Sequence, residues 1–250
     1  MQLNIISFNI RCIDDPNGHS IVERAPRLHV VTSRYGADII GFQEYRPAWK
    51  EHIARLYGDD FDIFNVYRST TDPESTPILW RKTRFDDIQT GNFWLSDTPK
   101  VESKGWDTMG YERMCTYVTL KEKQTGECIT FINTHFGFGD DGQIKSADLI
   151  AEYAKRISDY PTVIVGDFNM KPTDPAYAQM TRHFTDANAV TAKDWRNTYH
   201  GYSFDETDMH IDYAFVNDGI EPVSQTMMRD TFDGKFPSDH YGLHMVLKTK

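Results

Sequence analysis

Asp167 and Asn169 close the stretch Thr162-Val163-Ile164-Val165-Gly166-Asp167-Phe168-Asn169, in which an apolar run ends on a carboxylate and a carboxamide. Groups of that kind, side by side, can hold a metal ion, a phosphate oxygen or an attacking water. Three similar stops occur elsewhere: Ser238-Asp239-His240, Gly41-Phe42-Gln43-Glu44 and Ser7-Phe8-Asn9, each beside an apolar run. Adding His135 and Asp212 gives the set Asn9, Glu44, His135, Asp167, Asn169, Asp212, Asp239 and His240, spread over the whole chain. If the strands lie side by side, their ends meet on one rim. The set is rich in hard oxygen donors, which suits Mg²⁺ or Mn²⁺ better than zinc.

Each of these residues also has an ordinary reading. Asn9 can close a turn, and Asp167 with Asn169 can form an Asx turn leading into Pro172. Glu44, Asp239 and His240 can be solvated strand ends. Arg113 can be the ion-pair partner of Glu112 or another acid. Asp212 is harder to set aside, because a carboxylate inside the apolar run 211–216 must be paired or bound.

The elements that must position these groups follow from periodicity and punctuation. Strands are expected over 3–9, 37–43, 61–67, 77–80, 85–90, 114–120, 128–134, 162–165, 211–216 and 242–247. Helices are expected over 24–35, with Pro26 in the first turn, over 47–56, and over 143–158, where Leu149, Ile150, Tyr153, Ala154 and Ile157 share one face. Strands outnumber helices, and hairpins mix with β-α-β units, so mixed sheets with helices outside are expected rather than a regular β/α barrel. Residues 97–112 carry Gly, Trp and Asp without a period and read as a long loop of the kind that often serves function.

With 250 residues the chain can bury a full core, and we read 1–250 as one domain. The formal charge of -10 argues against a long nucleic-acid footprint. It leaves open a small phosphorylated substrate or a short oligonucleotide, since a bound cation would change the local field. Cys12, Cys115 and Cys128 have no metal-ligand spacing and are read as reduced thiols, although Cys115 and Cys128 fall on strands that could be neighbours. The N-terminus enters a strand at once, and no run approaches membrane-spanning length, so a cytoplasmic protein without a membrane partner is expected.

Ser7-Phe8-Asn9-Ile10-Arg11, Gly41-Phe42-Gln43-Glu44, Asn133-Thr134-His135, Gly166-Asp167-Phe168-Asn169, Ile211-Asp212-Tyr213 and Ser238-Asp239-His240 fall in an order that resembles the endonuclease/exonuclease/phosphatase family with the DNase I-like fold. Gly91-Asn92-Phe93-Trp94-Leu95-Ser96, Gly105-Trp106-Asp107 and Arg113 further resemble a bacterial branch close to deadenylase-like and sugar-phosphatase-like members. The resemblance implies an α/β (α+β) four-layer sandwich, in which two packed mixed sheets are flanked by helices. It implies a divalent-metal-dependent phosphoester hydrolase, a phosphodiesterase or phosphatase, that attacks phosphorus with a metal- and Asp-activated water. Glu44 would hold the metal, with Asn9 and Asp239 close by. Asp167 would orient or deprotonate the water, Asn169 would bind a phosphate oxygen, and His135 and Arg113 would meet charge developing on phosphorus. Asp212 would align His240, which would donate to a phosphoryl oxygen. Arg11 stands where some nuclease members carry an acid, which points to one tightly held metal.

Two alternatives stand beside this: a deadenylase-like nuclease on short substrates, and an inactive phosphate-binding module. A serine hydrolase lacks its G-x-S-x-G elbow. Gly137-Phe138-Gly139-Asp140-Asp141-Gly142 matches G-x-G-x-x-G, but its two aspartates would repel a pyrophosphate. His200 and His210 are candidates for substrate contact. Trp94 and Trp106 are either core or pocket walls.

Overall fold

The computed structural model describes all 250 residues. Two six-stranded sheets pack face to face. The first contains β1 (Gln2–Asn9), β2 (Ile39–Gln43), β3 (Phe61–Phe64), β4 (Ile78–Arg81), β11 (Ile220–Met228) and β12 (Gly242–Thr249), in the order β11-β12-β1-β2-β4-β3. The second contains β5 (Phe85–Trp94), β6 (Met114–Glu122), β7 (Cys128–His135), β8 (Thr162–Asp167), β9 (Thr185–Asp186) and β10 (Asp212–Val216), in the order β5-β6-β7-β8-β10-β9. Both mix parallel and antiparallel pairs: β1 runs parallel to β2, and β7 parallel to β8. Helices α1 (Ile21–Ser33) and α2 (Lys50–Tyr57) cover the first sheet; α3 (Asp140–Ile157) and α4 (Pro175–His183) cover the second. A short α5 (Ala187–Val190) follows β9. This is the expected four-layer architecture.

The two-residue period of a strand divides the apolar residues among three cores. Leu3 and Ile5 of β1 face the second sheet, with Ile39, Ile129, Phe131, Val163, Val165 and Ala214. Ile6 and Phe8 face α1 and α2. Ile132, Ile164, Tyr213 and Phe215 face α3 and α4. The inter-sheet face then changes character along the strands. In β1 it reads Leu3, Ile5, Ser7, Asn9; in β7 it reads Ile129, Phe131, Asn133, His135; in β8 it reads Val163, Val165, Asp167. One end of this layer is apolar and the other is polar.

A buried bridge joins the sheets where the change occurs. Asn133 donates from Nδ2 to the carbonyls of Phe42 (2.8 Å) and Pro77 (3.0 Å). Its Oδ1 accepts from Gln43 Nε2 at 2.7 Å, and Gln43 Nε2 also reaches Ser7 Oγ at 3.2 Å. Asn133 and Gln43 are fully buried, so the bridge must be satisfied internally.

Several boundaries differ from expectation. Helix α1 begins at Ile21 rather than 24, because the Glu23 carboxylate accepts from the Ser20 N–H (3.2 Å) and hydroxyl (2.6 Å). Pro26 therefore lies inside the helix, exposed, and not in its first turn. Helix α3 begins at Asp140, since two aspartates suit the positive end of a helix. Strand β3 stops at Phe64, whereas β5 runs on to Trp94 against β6. Helix α4, with Asp174 and Pro175 at its start, and strand β11, which is bulged after Pro222, were not anticipated. Cys115 and Cys128 do lie on neighbouring strands, but Cys115 faces Thr134 and Cys128 faces Lys121, so the thiols sit at opposite ends and are free.

Asn133→Ala removes the buried donor to the Phe42 and Pro77 carbonyls and the nearest acceptor of the Gln43 amide, and should destabilise the fold by roughly 2–4 kcal/mol. Urea unfolding checks this: the midpoint should fall with the slope unchanged, and an unmoved midpoint would mean the bridge does not hold the sheets.

Candidate active site

Strand register places the polar residues. His135 lies opposite Asp167 in the parallel β7–β8 pair, and Asp212 lies opposite Asp167 across β10. On the first sheet Asn9 lies opposite Gln43, with Glu44 next in the chain. Asp239 and His240 immediately precede β12, and Ser238 Oγ ties them to β1 by donating to the Asn9 carbonyl at 2.6 Å. The chain turns sharply as it leaves these strands. Arg11 (φ 62°), Glu44 (φ 59°) and Asn169 (φ 47°) all take the left-handed region, which costs a non-glycine residue about 1–2 kcal/mol. All three line one cavity of about 360 Å³, together with His135, Asp167, Asp239, His240 and Arg113.

Asn9 does not line the cavity but joins the two sheets beneath it. Its Nδ2 donates to Glu44 Oε1 (3.1 Å) and to Asp167 Oδ2 (2.9 Å), while its Oδ1 accepts from the Arg11 N–H (3.0 Å). Glu44 Oε2 accepts from the Cys12 N–H at 2.8 Å. Asp167 Oδ1 accepts from the Asn169 N–H at 3.0 Å, so the Asx turn and the site coexist. Burial, and then the charge on Asp212, push Asp167 above the usual carboxylate range. Burial opposes a charged His240, but its hydrogen bond to Asp212 (Nδ1 to Oδ2, 2.9 Å) and the surrounding carboxylates outweigh it, lifting the imidazole up to about 10. His240 is thus a proton donor whose Nε2 lies 3.8 Å from Asp167 Oδ2. His135 Nε2 lies 3.6 Å from the same oxygen.

The opposite wall carries guanidinium groups that surround Glu74. Arg68 reaches Glu74 at 2.7 Å and is also paired with Asp72. Arg46, Arg113 and His135 Nδ1 stand 3.7, 3.8 and 3.3 Å from Glu74. Burial works against ionising Glu74, but His135 and Arg68 hold its carboxyl below the usual range. Arg113 donates from Nε to Asp107 at 2.9 Å, and its buried Nη1 has no hydrogen-bond partner. An orphaned guanidinium donor in a cavity wall suits an anion. Arg46, Arg68, Glu74 and the aromatic residues Tyr111 and Phe138 also line this cavity and were not anticipated. The only sequence cue for Glu74 is a carboxylate shortly ahead of a buried strand, β4, whereas Glu44 follows its strand.

Asp107 staples this wall. Its Oδ1 accepts from the backbone N–H of Met109 (2.8 Å) and Phe138 (3.2 Å), while Oδ2 takes Arg113. The Gly137-x-Gly139-x-x-Gly142 spacing explains how the loop fits. A Cβ would meet Asp107 at 2.6 Å from Gly137, Thr108 at 2.6 Å from Gly139 and the Trp106 carbonyl at 2.4 Å from Gly142. These glycines receive residues 106–108, not a nucleotide. Trp94 donates to the Arg68 carbonyl (2.8 Å), Trp106 packs on this cradle, and neither lines the cavity. His200 and His210 do not line it either: His200 accepts from the Tyr202 N–H, and His210 pairs with the Arg196 carbonyl.

The donor set fits a hard divalent cation. Glu44, Asp167 and Asp239 share the cavity, and Arg11 stands 3.5 Å from Asp239. Burial holds Asp239 above the usual range, with the Glu44 charge adding to it, and a cation would relieve that. Ligand atoms of Asp167, Asp212 and His240 also lie within 4.8 Å of one another. There, however, Asp212 and His240 already neutralise each other, so the open oxygen donors are Glu44 and Asp239.

Residues 6–240 match the Endonuclease/Exonuclease/phosphatase family. An endonuclease/exonuclease/phosphatase family protein from Bacteroides thetaiotaomicron is 27% identical, with TM-score 0.91 over 99% of this chain and 95% of that one. A Bacteroides thetaiotaomicron mannosyl-6-phosphatase is 26% identical, with TM-score 0.90 over 98% and 99%. TDP2 of D. rerio, complexed with single-strand DNA product, shares the fold at 18% identity, with TM-score 0.78 over 99% of each chain. No curated protein matches the chain.

Inorganic phosphate titrated by calorimetry tests the basic wall. Arg113→Ala should weaken binding by about 10- to 100-fold, the worth of one or two charge-assisted hydrogen bonds. Asp107→Asn should weaken it less. Unchanged affinity in Arg113→Ala would remove the anion from this wall.

Proposed function

The chain belongs to the endonuclease/exonuclease/phosphatase family and is a hydrolase of phosphate esters; from that premise we propose that it is a divalent-metal-dependent phosphomonoesterase acting on small phosphorylated molecules, sugar phosphates first among them. One observation carries this reading: carboxylates and guanidinium groups line a single cavity of about 360 Å³. A phosphate dianion matches both, one side through a cation and the other directly. The formal charge of -10 disfavours a long polyanion, and the mannosyl-6-phosphatase relative supports a sugar phosphate.

In this reading Glu44 and Asp239 hold Mg²⁺ or Mn²⁺, with Asn9 alongside. The ion, when bound, neutralises phosphate charge and polarises the reacting bond. Asp167 accepts the proton of the attacking water; its raised basicity suits that task, and Asn9 and the Asn169 N–H fix its orientation. Asn169 binds a phosphate oxygen through its side chain. Arg113 and His135 meet the charge that spreads over the phosphoryl oxygens, where positioning and charge stabilisation provide most of the catalysis. His240, held by Asp212, donates from Nε2 to a phosphoryl oxygen.

Phosphate release from hexose phosphates and glycerol phosphate, with cleavage of short RNA and a bis-aryl phosphate, tests the reading with Mg²⁺, with Mn²⁺ and with EDTA. Turnover of monoesters should need the metal and exceed that of the diesters. Asp167→Asn should lower it by roughly 10²- to 10⁴-fold with the melting transition retained. Glu44→Gln should raise the metal concentration for half-maximal rate by about tenfold or more. Turnover in EDTA, or wild-type rates in Asp167→Asn, would sink the mechanism. Preferred cleavage of RNA would select the diester alternative, and binding without turnover the inactive module.

A further inference from the structure

Two aromatic side chains at the cavity mouth have no part in the chemistry above. Tyr111 is 41% exposed and Phe138 is 44% exposed, and both line the cavity that holds Asp167 and His240. Rings of this size left in water beside a buried polar site mark a ligand-contact surface. They are also aimed. The Arg113 guanidinium lies 5.5 Å from the Tyr111 ring centre and 6.0 Å from that of Phe138. Both rings therefore lie beside the group with the unpartnered donor, within reach of whatever is esterified to a phosphate there.

We propose that Tyr111 and Phe138 form a leaving-group subsite that grips the ring of a monosaccharide phosphate, with Arg46 and Glu74 reading its hydroxyls. The inference rests on the phosphoesterase reading for the place of the phosphate.

Three observations support it. The Phe138 backbone and the Tyr111 ring are positioned before any ligand arrives. The Phe138 N–H donates to Asp107 (3.2 Å), its carbonyl accepts from the N–H (3.0 Å) and hydroxyl (3.1 Å) of Thr108, and Tyr111 lies 4.9 Å above the buried Arg68 guanidinium. Preorganised contacts avoid the entropy of ordering side chains on binding. Further, the wall beyond them offers donors and acceptors together: Arg46 has a buried Nε without a partner, 3.7 Å separates its guanidinium from Glu74, and Glu74 presents a carboxylate. Adjacent sugar hydroxyls each donate and accept, so they match such a wall, while the apolar C–H face of a pyranose lies flat on an aromatic ring. Last, a cavity of about 360 Å³ suits one sugar ring and a phosphate, whereas a nucleoside monophosphate must place a base as well.

Calorimetry with Mg²⁺ in the Asp167→Asn background, where ligand is not consumed, tests the proposal. The probes are mannose 6-phosphate, glucose 6-phosphate, inorganic phosphate and adenosine 5′-monophosphate. One hexose phosphate should bind at least about tenfold tighter than inorganic phosphate, the worth of burying the apolar face of one sugar ring against an aromatic side chain. Tyr111→Ala and Phe138→Ala should each erase most of that gain and leave inorganic phosphate unchanged, and Tyr111→Phe should keep it. A hexose phosphate bound no tighter than phosphate, a gain that survives both alanine variants, or tighter binding of adenosine 5′-monophosphate would overturn the proposal. The ligand series in the unvaried subsite decides the matter even if an alanine variant fails to fold. Phosphate release by the wild-type protein is a separate readout: its absence with hexose phosphate binding intact would sink the hydrolase reading and leave the subsite standing.

Discussion

The hydrogen bond from Asn9 to Asp167 crosses from one sheet to the other, and the chemistry depends on the sheets being held in that relation. Asn9 and Glu44 leave the first sheet, Asp239 and His240 lead into it, and His135, Asp167 and Asp212 belong to or border the second. Neither sheet carries a working set. A slide of one over the other would leave each strand intact and separate the groups. The bridge of Ser7, Gln43 and Asn133 lies just behind the floor and resists such a slide, because the Asn133 amide and the Gln43 Nε2 group bond across the interface. A buried polar network of this kind specifies one arrangement where a wholly apolar layer would tolerate several.

The same closeness creates an electrostatic load. Asp167 and Asp212 are directly opposite in register and both are buried. Like charges so placed are stable only with compensation. His240 is pinned to one and near the other, while Asn9 and the Asn169 N–H supply neutral donors. Glu44 and Asp239 are left comparatively open on the adjoining side, with Arg11 as a partial counterweight. The acids thus fall into two groups with different tasks: one satisfied by protein, the other suited to an added cation.

Much of this was legible in the sequence because it is written in parity. Leu3, Ile5, Ser7 and Asn9 occupy alternate positions, so a pleated strand must send them to one face, and the change from apolar to polar marks the working end. The same holds for Ile129 to His135 and for Val163 to Asp167. The boundaries missed had local cues of their own: the Ser20-x-x-Glu23 box and the Asp174-Pro175 start of α4. Glu74, Tyr111 and Phe138 could not be singled out from their segments, since their place is set by contacts between segments far apart in the chain. The fate of Gly137-x-Gly139-x-x-Gly142 makes the point most clearly: rejecting a nucleotide there was possible from charge alone, but finding what the glycines receive required the fold.

Those glycines divide the molecule into two kinds of part. The acids and histidines sit at the ends of paired strands, where a shift would disturb the core. The wall with Asp107, Tyr111 and Arg113 is largely a loop laid on the start of α3, attached by backbone hydrogen bonds and by the absence of three Cβ atoms. A replacement loop of another length, carrying different rings, would need only to keep an Asp107-like staple and lie flat on that bare patch. The rings at the cavity mouth can therefore be exchanged one segment at a time, while the strand-end acids and histidines stay where the paired sheets hold them.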